Sequence, residues 1–510
     1  MIRSIRIRSI RTGGIAAAIL MVLLSACGGG GGGSDNADRA LRVAAAADAS
    51  SLDPVRGNAG TDHVLLYPLY DTLISFDEHL APQPGLAEAW ETPSPTELTL
   101  TLREGVTFHD GTAFDGEAVK YNIERAKGEG SNIQADLESV DSVTVDSPTQ
   151  VTLKLNRPDG SLLMVLADRA GMMVSPTAAE AADGDLSLAP VGAGGWKFVE
   201  WRRGSVLKVE KYADYWDTDA TRVSAIDFNI IPEPKTRVTS LRSGQQDVVM
   251  EISPSDADGV EDASGVKLVA APRLNVQQVY VNRGSEELGD PKVRKALSLA
   301  IDREALLKSA YFGRGMVADG ILPAGYWAEP PASVRSTFDL GEAKSLLAQA
   351  GAEGLKFDMI ANADSATTRV AEILKQQWAA IGVTMNIVPR EIVQATNDYF
   401  NDRKAPALLS QWTGRPDPAL TYRLNFSADG YFNTSDEAVP GIDEALAEAD
   451  NSTEIDERKP GLDKAAEAVF ADTSFFPLVF QDSLIGLRDN VEGFEGNLLG
   501  KPKFIGVSFS

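Results

Sequence analysis

The chain has 510 residues, 43% of them hydrophobic, which is ordinary for a globular protein and allows roughly two to four domain-sized units. Its 48 Lys+Arg stand against 73 Asp+Glu, a formal net charge of −25; such an acidic surface excludes a nucleic-acid partner, which needs basic patches, and excludes lying flat on anionic lipid. A single cysteine excludes an internal disulfide, so a large buried core must hold the fold, and the three histidines, His63, His79 and His109, are not at ligand spacing with one another.

The chain opens with Arg3, Arg6, Arg8 and Arg11 and no acidic residue, followed by ten apolar residues at 15–24 and then small residues up to Cys27. This is a signal-peptide layout, with an apolar core too short to span a bilayer. Leu24-Ser25-Ala26-Cys27 resembles the lipobox of bacterial lipoproteins, which implies cleavage before Cys27, acylation of its thiol and a membrane anchor made of lipid alone. Removing four arginines takes the formal charge of the remainder from −25 to −29. Gly28 to Gly33 and the polar residues 34–38 are too flexible and too polar to pack, so 27–40 is predicted to be a tether. No later apolar run approaches the ~20 residues of a transmembrane helix.

From Leu41 to about Pro190 the sequence is strand-rich. Leu98, Leu100 and Leu102 alternate with Thr99, Thr101 and Arg103, the period of a half-buried strand. Val143 and Val145, then Val151, Leu153 and Leu155, flank Asp146-Ser147-Pro148-Thr149 and predict a hairpin; a second is predicted at 196–212, turning at Arg203-Gly204-Ser205. Between them Asp115 can cap a helix carrying Val119, Ile123 and Ala126 on one face. After about Asn282 helices dominate. Asp290-Pro291, Asp302, and Asp339 with Glu342 are start signals, and Gly313, Gly351 and Gly382 are stops. Val370, Ile373, Leu374, Trp378 and Ile381 stripe one of these helices, and Val383, Met385 and Ile387 alternate as the strand after it, the unit of an α/β lobe. Pro477 to Leu487 is predicted as one strand returning to the first lobe. No internal repeat is present.

G-x-S-x-G, Walker A, H-E-x-x-H and C-x-x-C are all absent, and scattered carboxylates in so acidic a chain read as solvated surface, so nothing in the sequence specifies a reaction or a cofactor. Several segments together resemble the family 5 substrate-binding proteins of ABC transporters, the dipeptide- and oligopeptide-binding type. They are Ser51-Leu52-Asp53-Pro54, Leu69-Tyr70-Asp71-Thr72-Leu73, the run from Leu102 through Gly105, Phe108-His109-Asp110-Gly111 and Asp115 to Arg125, Pro190-Val191-Gly192-Ala193-Gly194, Lys211 to Trp216, Asp290 to Arg303, and Ala343 to Gly351. Each also has a ligand-free reading: Gly105 and Gly111 suit positive φ, His109 suits a turn hydrogen bond, and Arg294 and Arg303 suit ion pairs. Gly194-Gly195-Trp196 stands where relatives have Gly-Pro-Tyr.

The resemblance implies an α/β, two-lobed periplasmic-binding-protein fold (type II, cluster C) with an extra subdomain in the first lobe. The expected division is a signal peptide at 1–26, the tether at 27–40, a lobe I core from 41–60, 190–275 and 482–510, the extra subdomain at 61–189, and lobe II at 276–481. The crossing strands are expected near 276–282 and 475–481, with ligand enclosed between the lobes. It further implies a monomeric, extracytoplasmic, lipid-anchored receptor that passes a peptide or similar small amphoteric solute to an ABC permease and ATPase. Relatives also serve opines, nickel chelates, haem and oligosaccharides; a secreted hydrolase or a receptor feeding a sensor are the readings from other classes. The sharpest site candidate is Gln411-Trp412-Thr413-Gly414-Arg415-Pro416-Asp417-Pro418, where peptide-binding relatives have a similar Trp, Gly and Asp-Pro. By that match Asp417 would meet the ligand's ammonium and Trp412 would stack on ligand or wall the cleft. Arg415 would either hold a carboxylate or neutralise Asp417 itself. Tyr67, Tyr399 and Tyr422 are further candidates for contact.

Overall fold

A computed structural model describes residues 39–510. The leader and Cys27, with nearly all of the glycine tether, lie outside the described residues.

Two large sheets organise the chain. The first has seven strands in the order Val266–Ala271, Ser483–Arg488, Val248–Val249, Leu41–Ala45, Ala225–Ile230, Val206–Lys211 and Trp196–Arg202. Leu41–Ala45 runs parallel to both of its neighbours, and its Leu41, Val43 and Ala44 are fully buried. The second has six, ordered Met316–Val317, Phe475–Phe480, Val276–Val281, Ala407–Trp412, Lys356–Asn362 and Thr384–Arg390. Every residue of Val276–Val281 and Phe475–Phe480 is buried, as expected of central strands covered on both faces. Period-two alternation divides their neighbour: Ala407 and Leu409 pack with Val279, Met359 and Leu478 on one face, while Leu408 and Trp412 pack with Val276, Tyr280 and Phe480 on the other.

A third, four-stranded antiparallel sheet is ordered Ala87–Ser94, Glu97–Leu102, Gln150–Leu155 and Val140–Ser147. Leu98, Leu100 and Leu102 point into its core, and the helix Gly116–Lys127, capped by Asp115 accepting from the Ala118 N–H at 3.0 Å, covers it. His109 is a turn group, its Nε2 on the Gly194 carbonyl at 2.9 Å and its Nδ1 accepting from the Gly192 N–H at 3.3 Å; burial pushes its pKa down to about 4.

The helix signals of the second half hold, with Pro291–Leu299, Arg303–Ala310, Leu340–Gln349 and Ser365–Ala379 each preceded by its capping aspartate. Three details differ from expectation. The predicted strand at 477–487 is two strands, Phe475–Phe480 in the second sheet and Ser483–Arg488 in the first. The strands at 276–281 and 475–480 lie wholly within the second sheet, so the chain passes between sheets in the short connections 272–275 and 481–482. Arg294 makes its ion pair, with Asp472 at 2.8 Å, but Arg303 makes none among the described residues: its guanidinium is enclosed by the carbonyls of Pro477, Ser298 and Ile301, which satisfy it without a carboxylate.

Trp378 anchors the second sheet. Its side chain is 0% exposed, its indole N–H donates to the Leu297 carbonyl at 2.9 Å, and its ring lies 5.6 Å from Phe357 and 6.3 Å from Phe476. Trp378→Ala is expected to cost about 3–5 kcal/mol through lost burial and a residual cavity; a urea unfolding midpoint equal to that of the parent would contradict this placement.

Candidate ligand-binding cleft

A cavity of about 690 Å³ opens where the two sheets and the four-stranded region meet, within the size range of small-ligand sites. Its walls come from chain segments far apart in sequence: 45–47 and 250–251 at strand ends of the first sheet, 57–65, 132–136 and 164–169, the crossing residues Arg273 and Asn275, the segment 413–416, and 499–501 near the C-terminus. A second cavity, beside Lys295 and Phe470, offers about 30 Å³, room for a water or two.

The segment after strand Ala407–Trp412 is fixed by close packing. Gly414 has φ +75°, and a Cβ there would lie 2.4 Å from the Leu274 Cβ, so only glycine lets this segment rest on the crossing 272–275. Arg415 is thereby carried into the cavity wall. Its guanidinium sits 4.8 Å from the centre of the Trp412 ring and donates to the Gly414 carbonyl at 3.0 Å, and it enters no ion pair among the described residues. Loss of hydration lowers its pKa, opposed by the charges of Asp136 and Asp168.

Two residues further on, Asp417 faces the other way. It is 0% exposed, caps the helix Pro418–Phe426 by accepting from the Ala419 N–H at 2.9 Å, and receives both Arg458 guanidinium nitrogens, at 2.7 and 2.8 Å. Two expectations are corrected here: Asp417 does not line the cavity, and its neutralising partner is Arg458, not Arg415. The physical reason is the helix start. Pro418 at the first helical position turns the aspartate back onto the helix N-terminus, where a buried carboxylate requires a buried cation.

Trp412, 3% exposed, lies under Arg415 and edge-on to Phe432 at 4.9 Å, so it forms the floor beneath the cationic group. Tyr399 is buried in the same aromatic cluster, 4.9 Å from Phe400, and Tyr422 is buried beside Phe426. Tyr67 is buried between His63 and Phe76. None of these four lines the cavity; of the six residues singled out from sequence, Arg415 does.

The cavity is instead dressed with ionisable groups that stand far apart in the chain and share no motif. Asp168 accepts from its own helix-start neighbour, the Arg169 N–H, at 2.8 Å and is in short contact with His63 Nε2, while His63 Nδ1 faces the Gly60 carbonyl at 3.1 Å. Burial pulls the His63 pKa down, yet both ring nitrogens face acceptors, an arrangement that the imidazolium satisfies in full. Burial alone would raise the Asp168 carboxyl; the charges of His63, Lys501 and Arg169 outweigh it and hold it well below the usual range. Arg169 is matched by the buried Asp62 at 2.8 Å. Lys501 has no ion-pair or hydrogen-bond partner for its ammonium among the described residues; desolvation, with Arg169 and Arg415 nearby, lowers its pKa against the pull of the Asp168 charge. Asp136 reaches water at the cleft wall, where loss of hydration and the neighbouring Asp168 charge push its pKa up to about 6 against the pull of Arg415. The wall thus holds two cations without a contacting counter-ion, Arg415 and Lys501, and one carboxylate, Asp136, in the same condition.

Residues 81–434 match the pattern of the bacterial extracellular solute-binding proteins, family 5 Middle. The glutathione-binding protein GsiB of Salmonella paratyphi A is 26% identical over 469 residues, spanning 89% of this chain and 91% of its own. Among solved structures, HbpA2 from Haemophilus parasuis superposes with a TM-score of 0.83 at 25% identity, covering 92% of this chain and 100% of that one. The dipeptide binding protein of Pseudoalteromonas sp. SM9913 in complex with Met-Leu gives 0.77 at 24% identity, with the same coverage, a likeness of fold. The chain belongs to the family 5 extracellular solute-binding proteins. Substrate-binding proteins of this family are extracytoplasmic, bind small ligands and work with the permease and ATPase of an ABC transporter. No helix among the described residues is long and apolar enough to cross a membrane.

The assignment of Asp417 to structure has a direct check. Arg458→Met leaves an uncompensated buried carboxylate and should cost about 3–5 kcal/mol in urea denaturation, whereas Asp417→Asn/Arg458→Met, which keeps the cap and removes both charges, should recover most of the loss. Equal stability of the single variant and the parent would return Asp417 to the list of ligand contacts.

Proposed function

We propose that this protein is the lipid-anchored receptor of an ABC importer for a small peptide-like solute bearing at least one free carboxylate. The observation that carries the reading is the pair Arg415 and Lys501, two cations at the cavity wall with no contacting carboxylate. A ligand carboxylate placed between them relieves their mutual repulsion and takes the bidentate face of the guanidinium. Asp136 is the complementary pole for a ligand ammonium. The names of the compared proteins point the same way, since glutathione and Met-Leu each join an ammonium to a carboxylate.

In this reading 41–60, 190–275 and 482–510 form the core of one lobe, with 61–189 as its added subdomain, and 276–481 form the other. The connections 272–275 and 481–482 are the hinge. Arg415 comes from the second lobe and Lys501 and Asp136 from the first, so one ligand carboxylate bridges the lobes and favours the closed state by its differential contacts. Driving the equilibrium from 1:99 to 99:1 needs roughly 5.5 kcal/mol of such preference. Closure presents one surface to the permease, and no bond is made or broken. Cys27 holds the monomeric receptor at the membrane through its lipid and the glycine tether, within reach of that permease.

Arg415→Gln should weaken binding of glutathione, measured by calorimetry, by about 10–100-fold, the loss of one charged hydrogen-bonding partner; an unchanged affinity contradicts the carboxylate assignment. Cys27→Ser should move the protein from the membrane fraction to the soluble one, and continued incorporation of labelled acyl chain by that variant contradicts the anchor.

A further inference from the structure

His63 stands on the cavity wall with no part in the carboxylate site just described. It opens the helix His63–Leu66 and is 4% exposed, its ring 5.8 Å from that of Tyr67. Nδ1 faces the Gly60 carbonyl at 3.1 Å and Nε2 is in short contact with the Asp168 carboxylate, so both nitrogens meet oxygens that accept. A neutral imidazole carries one N–H, and whichever nitrogen holds it, the other turns its lone pair on an oxygen. The imidazolium donates at both positions.

The charges around the ring decide between the two forms. Asp168 favours the imidazolium, while burial, Arg169 and Lys501 oppose it. Arg169 is already matched: it lies 2.8 Å from Asp62, which also accepts from the Ser50 N–H at 2.8 Å and the Ser50 hydroxyl at 2.6 Å. Lys501 has no contacting counter-ion among the described residues, so its field reaches the ring with least compensation. His63 is thus pressed toward the neutral form in a setting shaped for the charged one, and one of the cations that press it is a cation the solute neutralises.

We propose that His63, on the reading of Arg415 and Lys501 as a carboxylate site, binds a proton together with the solute. A carboxylate settled between Arg415 and Lys501 offsets the field of Lys501 at the ring; the imidazole then takes a proton from solvent, donating from Nδ1 to the Gly60 carbonyl and from Nε2 to Asp168. Proton affinity at His63 is higher in the bound state than in the free one. Its contribution to binding is therefore fully present below the free-state midpoint and is lost as pH rises through the bound-state midpoint. Asp136 runs the other way, since a ligand ammonium beside it favours its ionised form. The two effects offset each other in overall affinity, so the decisive readout is the His63 ring itself.

Three histidines in the chain make that ring readable by NMR of histidine-labelled protein, with His63→Gln assigning its signals. His79 is exposed, His109 is fixed in its turn, and neither lines the cavity. In pH titrations of the purified protein without and with saturating reduced glutathione, the His63 midpoint should rise on binding by about one pH unit or more, an about tenfold gain in proton affinity, while His79 and His109 stay in place. Lys501→Met should raise the midpoint of the free protein and roughly halve the rise on binding, with the thermal midpoint as the control for folding. The parent titration needs no variant, so a misfolded Lys501→Met leaves the test intact. A His63 midpoint that is unmoved or lowered in protein that binds glutathione overturns this inference and leaves the carboxylate site standing, as does a folded Lys501→Met protein whose free midpoint equals that of the parent. Failure of the parent to bind either glutathione or Met-Leu overturns both.

Discussion

Two short passages of backbone, 272–275 and 481–482, hold the molecule to its geometry. Each leaves a strand of one large sheet and enters a strand of the other, and they lie side by side: the Gln481 N–H donates to the Asn275 carbonyl at 2.9 Å and the Gln481 side chain receives Arg273. Because strands Val276–Val281 and Phe475–Phe480 pair antiparallel at the centre of the second sheet, any relative movement of the two sheets must be absorbed in these few residues. The cavity is what the crossings leave between the sheets, and Gly414 against Leu274 sets how near the Arg415 segment comes to them.

Charge in this protein falls into two populations that burial alone does not distinguish. Arg294, Arg303 and Arg458 are nearly or fully enclosed, and each has its donors satisfied by carbonyls or by a carboxylate in contact, as the cost of burying a charge demands. These are structural ions. Arg415, Lys501 and Arg273 are also desolvated enough for their pKa values to be lowered, yet none of them has a carboxylate in contact. Arg303 shows that the lack of a counter-ion is not by itself the difference, since carbonyls satisfy it; what sets Arg415 and Lys501 apart is their place on the cavity wall, on which the proposed carboxylate site rests.

The fold was largely legible in the sequence because its signals are local. Asp115, Asp290, Asp302, Asp339 and Asp364 all cap helices by the rule that suggested most of them, and the alternation of Leu98, Leu100 and Leu102 maps onto one face of a strand. The break at Gln481 and Asp482 came from the family resemblance, which divides the chain between 481 and 482, and not from the alternation reading, which ran Pro477 to Leu487 together across the polar Gln481-Asp482-Ser483. The site was mostly illegible. Arg415 could be singled out because it stands in a family-like segment beside Trp412 and Asp417, but the same local reasoning assigned Asp417 to ligand. Its true partner, Arg458, is 41 residues away on the helix Ile455–Asp472. His63, Asp136, Asp168, Glu251, Arg273 and Lys501 converge only through tertiary folding, and in so acidic a chain the isolated carboxylates among them look like solvated surface.

The account stands on the cavity being a receptor for an amphoteric acid, and the most direct test is native mass spectrometry of the protein as isolated from cells, followed by release and identification of any bound small molecule. The account predicts a solute of peptide-like size that carries both an ammonium and at least one free carboxylate. A neutral oligosaccharide, or a bound molecule lacking either charged group, would contradict it.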